Sequence, residues 1–378
     1  MQKLKQNLKG FYLAIRKDNF NFQISKKNLD EKINNFPTWM ENQINSEFKN
    51  CEFKNCEFKN CEFTNSENIK NEIDQTIQNL KDQNLLKEAE IVKVKIKNNK
   101  IRYKNFLHLK LHPRFVRFQN FMQKSKKFIK FPDTVFLYSI ADSIDNPKLL
   151  ECLKAPVFCI SKKQSNNKVI LFPHIEWMEK NDLLLDSISK AAVHLNWDQK
   201  KPQAFWRGAT TGYLELAKNE RLKVVKLASH YPHLIDASFS NISQITEENK
   251  NYLLKNFELK EKSSPIDQIQ YKYLLSIDGN AFSGSFFWQL FSNSVILKNK
   301  SDYLEWYYSG VKSDKHYLEF DSDKDLIAKL HWLKDNDKKA KKISENANIF
   351  ANENLKNEDT LAYIFKLLTK HSEIIKNN

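Results

Sequence analysis

The sequence predicts an α/β protein built on parallel sheet, and three observations carry that expectation. From Pro202 onward short apolar runs alternate with amphipathic stretches, strand then helix, several times over; a parallel sheet covered on both faces requires that alternation. The runs themselves, such as TVFLYSI (134–140) and KYLLSID (272–278), are almost wholly apolar, as strands buried on both faces are. At 378 residues the chain is also long for one core and comfortable for two domains.

Residues 1–85 read as an N-terminal extension of Lys- and Asn-rich helical segments. Inside it, SEFKNCEFKNCEFKNCEFTNSEN (46–68) is a five-residue repeat that sets Phe48, Phe53, Phe58 and Phe63 in register. A step of five on an α-helix turns the side chain by about 140°, so these rings would spiral rather than line one face. A β-solenoid needs about three or more stacked units, and this repeat supplies about one coil, so a spacer without chemistry is expected. NEIDQTIQNLKDQNLLKEAE then reads as a charged helix. Residues 86–198 read as a first α/β domain: AEIVKVKIKN and NFLHLKLHP alternate as half-buried strands do, PVFCI (156–160) and KVILF (168–172) are short buried strands, and DLLLDSISKAAVHLNW is a helix.

The charge and proline of NWDQKKPQ mark a boundary near 195–202. A second α/β domain, 199–353, follows. Its strands are QAFWRG, HLIDASF, KYLLSID, SVILK and HYLEF. Its helices are YLELAKNERLKVVKLASHY, ITEENKNYLLKNF, SGSFFWQLFSN and DSDKDLIAKLHWLKDN. A last helix, 354–378, is expected to pack back toward the N-terminal domain.

Composition bounds the function. The net charge of +15 invites nucleic acid as a partner, yet only six of the 61 basic residues are arginine: Arg16, Arg102, Arg114, Arg117, Arg207 and Arg221. Arginine reads phosphate forks and base edges, so a lysine-dominated surplus reads as a solvated coat. The coat also suits an anionic membrane surface, at about 1 kcal/mol per well-placed basic side chain. Five cysteines, an odd number without metal-ligand spacing, fit a reducing compartment. The basic start MQKLKQNLKGFYLAIRKDNF has too short an apolar run for a signal peptide, and no run approaches the roughly 18 residues of a membrane span. The expectation is a cytoplasmic protein that can lie on the cytoplasmic face of an inner membrane.

The six glycines are Gly10, Gly208, Gly212, Gly279, Gly284 and Gly310. Four of them fall in FWRGATTG and SIDGNAFSGS, each just beyond a predicted strand, a clustering that points to a backbone requirement. Ligands of open α/β sheets bind beyond the carboxyl ends of strands, where a following helix offers free N–H groups to an anion. Gly279, Asn280, Ala281, Phe282, Ser283, Gly284 and Ser285 could thus cradle a diphosphate, with Arg207 and Gly208 from the first stretch gripping its oxygens. Taken singly, each feature is also an ordinary turn, cap or ion pair. Neither stretch is a Walker loop or a GxGxxG fingerprint.

AFWRGATTG followed by YKYLLSIDGNAFSGSFFWQLFSNSVILK resembles glycosyltransferase family 90. FPDTVFLYSIADS, PVFCISK, FPHIEWME and LIDASFSN extend the resemblance, in order, over about residues 130–365. It implies a GT-B-like fold, two Rossmann-like domains facing a cleft, with the donor held by the C-terminal half. It also implies inverting transfer of glucose, galactose or xylose from a UDP-sugar without metal or other cofactor. The bacterial branch further implies a glycan or glycolipid acceptor such as lipopolysaccharide core. By position Asp142 matches the family's catalytic base, with Asp145 its neighbouring competitor and a helix-cap or turn acid its structural alternative; Arg207 matches the donor-phosphate arginine and Asn280 to Ser285 the phosphate turn. His174, Asp236 and Lys272 become candidates for further donor or acceptor contacts. Ser285 stands where many relatives carry arginine, and Thr210 where some are basic, so fewer fixed charges reach the diphosphate. That departure keeps open a member that binds sugar nucleotides without transferring them. The rival of another class is a nucleic-acid groove of basic and aromatic side chains.

Three signals read as structure. DSD (321–323) mimics a metal-binding DxD but sits where Asp321 or Ser322 caps a helix. His108 and His112 share a face of a predicted strand, two imidazoles without a third ligand. Phe286, Phe287, Trp288 and Phe291 fall at core positions of a helix on a sheet.

Overall fold

Short apolar runs become the strands of two five-stranded sheets in the computed structural model, which describes residues 23–49, 66–104 and 112–376. Among these the chain divides into two compact units. One runs up to Asp182 and takes in Leu304–Trp306 and the C-terminal segment from Asn357; the other comprises Leu183–Tyr303 and Tyr307–Lys356. The CEFKN repeat beyond Lys49, the basic N-terminus and the NFLHLKL stretch lie outside the described residues.

In the first unit, strands β1 (Ile91–Lys97) and β2 (Lys100–Lys104) pair antiparallel across Asn98 and Asn99. Both asparagines have positive φ, as a two-residue hairpin turn demands. β1 also pairs antiparallel with β3 (Thr134–Ser139), and β4 (Val157–Cys159) and β5 (Val169–Leu171) add in parallel, for the order β2-β1-β3-β4-β5. All six residues of β3 are buried, the reason its sequence carries no polar face. Helix α1 (Lys26–Asn34) is capped by Ser25, and α2 (Thr38–Lys49) follows. Glu47 of α2 accepts from Lys162 Nζ at 2.7 Å and from the Leu171 amide at 2.9 Å, a buried charge paired and hydrogen-bonded at once. Helix α3 (Ser66–Asp82) adds Ile69, Ile73 and Ile77 to a core shared with Leu137, Val157 and Val169. Helix α4 (Pro113–Ser125) starts directly after His112, so that histidine occupies a helix cap with proline behind it rather than a strand.

In the second unit all five strands run parallel: β6 (Lys201–Ala209), β7 (Ile235–Asn241), β8 (Tyr271–Ser276), β9 (Val295–Asn299) and β10 (Leu318–Phe320), in the order β10-β9-β8-β6-β7. Helix α5 (Glu176–His194) leads into this unit. Helices α6 (Glu220–His230) and α7 (Glu247–Asn256) are capped by Asn219 and Thr246. α6 begins later than the sequence predicts, because residues 210–219 are held as a loop broken by one 3-10 turn, Leu216–Lys218. α8 is also shorter, only Ser285–Gln289, since the chain turns through Asn293 at positive φ to enter β9. Its rings Phe286, Phe287 and Trp288, with Phe291 just beyond, are buried core. Ser322 caps α9 (Asp323–Asp335) by accepting from the Asp325 amide, so DSD is a cap. Helix α10 (Asp337–Asn354) completes this unit, and Leu326, Leu330 and Ile343 of α9 and α10 pack with Trp206, Leu275 and Leu297. The final helix α11 (Asn357–Lys376) belongs to the first unit, where His371 Nδ1 lies 2.9 Å from Thr134 Oγ1. Among the described residues, no helix is long and apolar enough to cross a membrane.

Candidate functional site

In the second unit the carboxyl ends of β6, β7 and β8 carry three loops that hydrogen-bond one another. The Gly212 amide donates to Asn280 Oδ1 at 3.0 Å, and Asn280 Nδ2 donates to Gln244 Oε1 at 2.7 Å. Gly212 has φ +127°, open to glycine and strained for any other residue. Thr210 Oγ1 exchanges bonds with Ser243 O and N at 2.8 and 2.9 Å.

The arginine at this edge is Arg221, from the first turn of α6. Its Nη1 donates to Ala209 O (3.0 Å) and Thr211 Oγ1 (2.6 Å), its Nε to Asp278 O (3.2 Å) and its Nη2 to Ile277 O (3.3 Å). One guanidinium therefore ties the loop after β6 to the loop after β8. Burial pulls its pKa down to about 10, against the opposing Asp278 charge, which leaves it protonated at neutral pH. This contact explains Gly279: a Cβ there would lie 2.8 Å from Arg221 Nη2 and 3.0 Å from Thr211 Oγ1. Gly208 has a different reason, since its Cβ would meet the Trp206 ring at 2.5 Å, while Gly284 faces open space. Asn280 is exposed, Ala281 and Ser283 are buried, and Ser283 Oγ lies 3.0 Å from Ser285 Oγ.

Arg207 lies elsewhere. Side chains alternate along a strand, so Trp206 joins the face that Arg221 covers, 5.7 Å from ring to guanidinium, and Arg207 takes the opposite one. There it stacks 4.4 Å over Phe205 and donates to Trp206 O, Asp236 O and, at 2.7 Å, Asp236 Oδ1, with only 8% of its side chain exposed. Burial would raise the Asp236 carboxyl, but the hydrogen bond and charge of Arg207, with Lys260, hold it below its ordinary value. Lys272, at the amino end of β8, donates to Asp337 at 2.7 Å over the Trp197 ring. The structure thus joins Gly279, Asn280 and Arg221, joins Arg207 to Asp236, and leaves Lys272 in a third cluster. Arg221 escaped sequence reasoning because RLKVVK reads as the wet face of a helix; its rarity among 61 basic residues, just after the glycine loop, was the usable signal.

In the first unit a second polar cluster sits beyond β3 and β5. Asp142, 38% exposed, accepts from Arg114 Nη2 at 2.7 Å through Oδ1. Arg114 Nη1 donates to Ile140 O at 3.0 Å, and its Nε stands 3.7 Å from Glu176. Arg117, one turn along α4, donates to the same Glu176 oxygen at 3.1 Å. His174 Nε2 is 3.6 Å from the other oxygen, long for a hydrogen bond. The His174 imidazole, with the charges of Arg117 and Arg114, outweighs burial and holds the Glu176 pKa at about 2. Burial would lower the Arg114 pKa, but Asp142 and Glu176 together raise it. Behind the cluster, Ser161 Oγ donates to Asp142 O at 2.6 Å. His174 and Asp142 are thus linked through Glu176 and Arg114, two residues the sequence alone did not single out. Among the described residues no group of three or more His, Cys, Asp or Glu is placed to hold a metal ion.

Residues 66–378 match the sequence model of the family described as glycosyl transferase family 90. The chain belongs to that family. It is 27% identical over 293 residues to Protein O-glucosyltransferase 2 of Danio rerio, covering 74% of this chain and 55% of the relative. It is 29% identical over 182 residues to Protein O-glucosyltransferase 3 of Homo sapiens, covering 47% and 33%. Over 263 residues it is 25% identical to Protein O-glucosyltransferase 1 of Bos taurus, covering 66% and 64%. The chain thus spans less than two thirds of the length of these curated relatives. Among solved structures, Anabaena Alr3699/HepE in complex with UDP aligns with TM-score 0.38 at 12% identity, over 59% of this chain and 66% of that one. That degree of likeness assigns no fold. Both polar clusters, Asp142 with Arg114 and Gly279 with Arg221, fall inside the span matched to glycosyl transferase family 90.

Proposed function

We propose that this family 90 member is an inverting glycosyltransferase that moves a glucose-, galactose- or xylose-type sugar from a UDP-sugar to a hydroxyl of a surface-glycan acceptor, lipopolysaccharide core first among them. The observation that carries the reading is the edge where Arg221 ties the loop after β6 to the glycine loop after β8, because it fixes a buried positive charge beside the turn where charge on a leaving diphosphate would develop. In this reading the donor diphosphate lies on residues 279–285. Asp142 accepts the proton of the acceptor hydroxyl as that oxygen forms its bond to the anomeric carbon. The bond from that carbon to UDP breaks with its electron pair leaving on the diphosphate, whose charge is met by protein groups with no metal required. Arg207 serves at one remove, bracing β6 against Asp236. The GT-B arrangement implied by the resemblance is part of the same proposal, as is a cytoplasmic protein whose lysine coat rests on an anionic inner membrane.

The relatives are named protein O-glucosyltransferases, which supports a second acceptor class, in which a protein hydroxyl receives a glucose unit. Assaying UDP release from UDP-glucose, UDP-galactose and UDP-xylose, with lipooligosaccharide or folded protein domains as acceptor, tests both. Acceptor-dependent UDP release supports transfer. Stabilisation by UDP with no release from any donor would instead mark a binding protein, and stabilisation by single-stranded DNA alone would favour the nucleic-acid rival.

A further inference from the structure

Two carboxylates occupy the first unit's polar cluster, and their partners differ. Glu176 is 20% exposed and faces Arg117, Arg114 and His174, which holds it ionised and occupied. Asp142 is more exposed and meets one cation, through one oxygen: among the described residues, Arg114 reaches Oδ1 and no side chain hydrogen-bonds Oδ2. An aspartate carboxylate turns about its Cα–Cβ and Cβ–Cγ bonds unless something fixes it, and a guanidinium with two further anchors is suited to do so. Arg114 has those anchors in the Ile140 carbonyl, at the end of the strand that carries Asp142, and in Glu176, itself gripped by Arg117. α4 supplies both arginines from one face, three residues apart.

We propose that Arg114 is a positioning residue for Asp142. It takes Oδ1 and so presents Oδ2 as the atom that accepts the hydroxyl proton, while Glu176 and Arg117 act as its backstop. The inference rests on the proposed role of Asp142 as base. It also explains why the two carboxylates are not interchangeable: Glu176 gives Oε1 to both arginines and faces His174 with Oε2, whereas Asp142 meets one arginine and keeps Oδ2 to spare.

The test is UDP release from UDP-glucose with water as acceptor, in the full chain, for wild type, Arg114→Lys, Arg114→Gln, Arg114→Ala, Asp142→Asn and the double variant Arg114→Gln/Asp142→Asn. Misplacing a reacting group by an ångström costs on the order of 10²-fold. Arg114→Gln is therefore expected to lose about that much kcat with UDP affinity unchanged, Arg114→Lys to keep part of it, and added ethylguanidinium to restore part of it to Arg114→Ala. On the Asp142→Asn background, Arg114→Gln should cost nothing further, because its effect passes through Asp142. Wild-type kcat in Arg114→Gln, or a loss without rescue by lysine or ethylguanidinium, would overturn the positioning role. So would an undiminished effect on the Asp142→Asn background. Full turnover by Asp142→Asn alone would instead remove the base on which the inference stands. An Arg114→Gln protein that fails to fold leaves the decision to Arg114→Lys and the chemical rescue.

Discussion

Replacing Gly279 by alanine tests whether the glycines at the donor edge are there for contact or for flexibility. The new methyl would lie 2.8 Å from Arg221 Nη2 and 3.0 Å from Thr211 Oγ1, and neither can simply step aside. Arg221 is held by four hydrogen bonds to two loops, one of them to Thr211 itself. Overpacking of this kind costs about 1–3 kcal/mol. Forfeiting one charged hydrogen bond adds about 1.5–3 kcal/mol, so a loss of about 2.5–6 kcal/mol is expected. In a domain of about 150–250 residues each kcal/mol moves Tm by roughly 2–4 °C. Gly284→Ala is the matched control: φ is −60°, no atom lies within 4 Å of the added carbon, and a gain of about 0.4–1 kcal/mol is expected from the stiffer unfolded chain. Thermal melts and UDP titration calorimetry of both variants decide the matter. Equal melting temperatures, with equal UDP affinity, would refute the reasoning that Arg221 is fixed and that it shapes the turn.

Burial pulls the His371 pKa down to about 3 from 6.5. Between those values the unfolded chain binds a proton that the folded one does not, so stability falls as pH drops below 6.5, by about 1.4 kcal/mol at pH 5.5. His316, its pKa held at about 4 by burial and by Lys315 and Lys312, adds a loss of the same sign, so urea unfolding at pH 7.5 and 5.5 should show a loss in His371→Gln smaller than that in wild type by about 1.4 kcal/mol. Lys162→Met strands Glu47 as a buried uncompensated charge and should cost about 3–5 kcal/mol, whereas Glu47→Met/Lys162→Met should recover most of it. A double-mutant cycle without coupling would contradict that. The lysine coat should sediment the protein with phosphatidylserine vesicles at low salt and release it at high salt; indifference to the vesicles would remove the membrane partner.

What the sequence made legible follows from burial. TVFLYS, VFC, VIL, YKYLLS and VILKN are found as strands because each is buried along its length, a property written in consecutive residues. The Ser322 cap was legible for a similar reason, since cap and partner amide lie three residues apart. Two helices were overextended where long-range contacts compete with periodicity: Asn219 holds Thr210 O and Tyr213 O, keeping residues 210–219 out of α6, and the apolar α8 segment is buried all round, which erases the stripe that would mark its end. The candidate site was legible in part. Glycine scarcity pointed to the right loops, but which arginine reaches them depends on the face of β6 from which each approaches. Asn219 and Gly279 are 60 positions apart, and no local pattern records that Arg221, beside the first, touches the second. Arg114, the partner of Asp142, comes from α4, and Glu176, which braces that arginine, from the start of α5, so this cluster too is assembled from residues remote in sequence.

The proposed transfer depends on a donor diphosphate resting on residues 279–285 beside Arg221, and a crystal structure of the chain with UDP would locate it. Phosphate oxygens are expected within hydrogen-bond distance of main-chain amides between Gly279 and Ser285, with the Arg221 guanidinium still bridging the two loops. Phosphate bound instead to Arg207, with the Arg207–Asp236 pair broken to admit it, would contradict it.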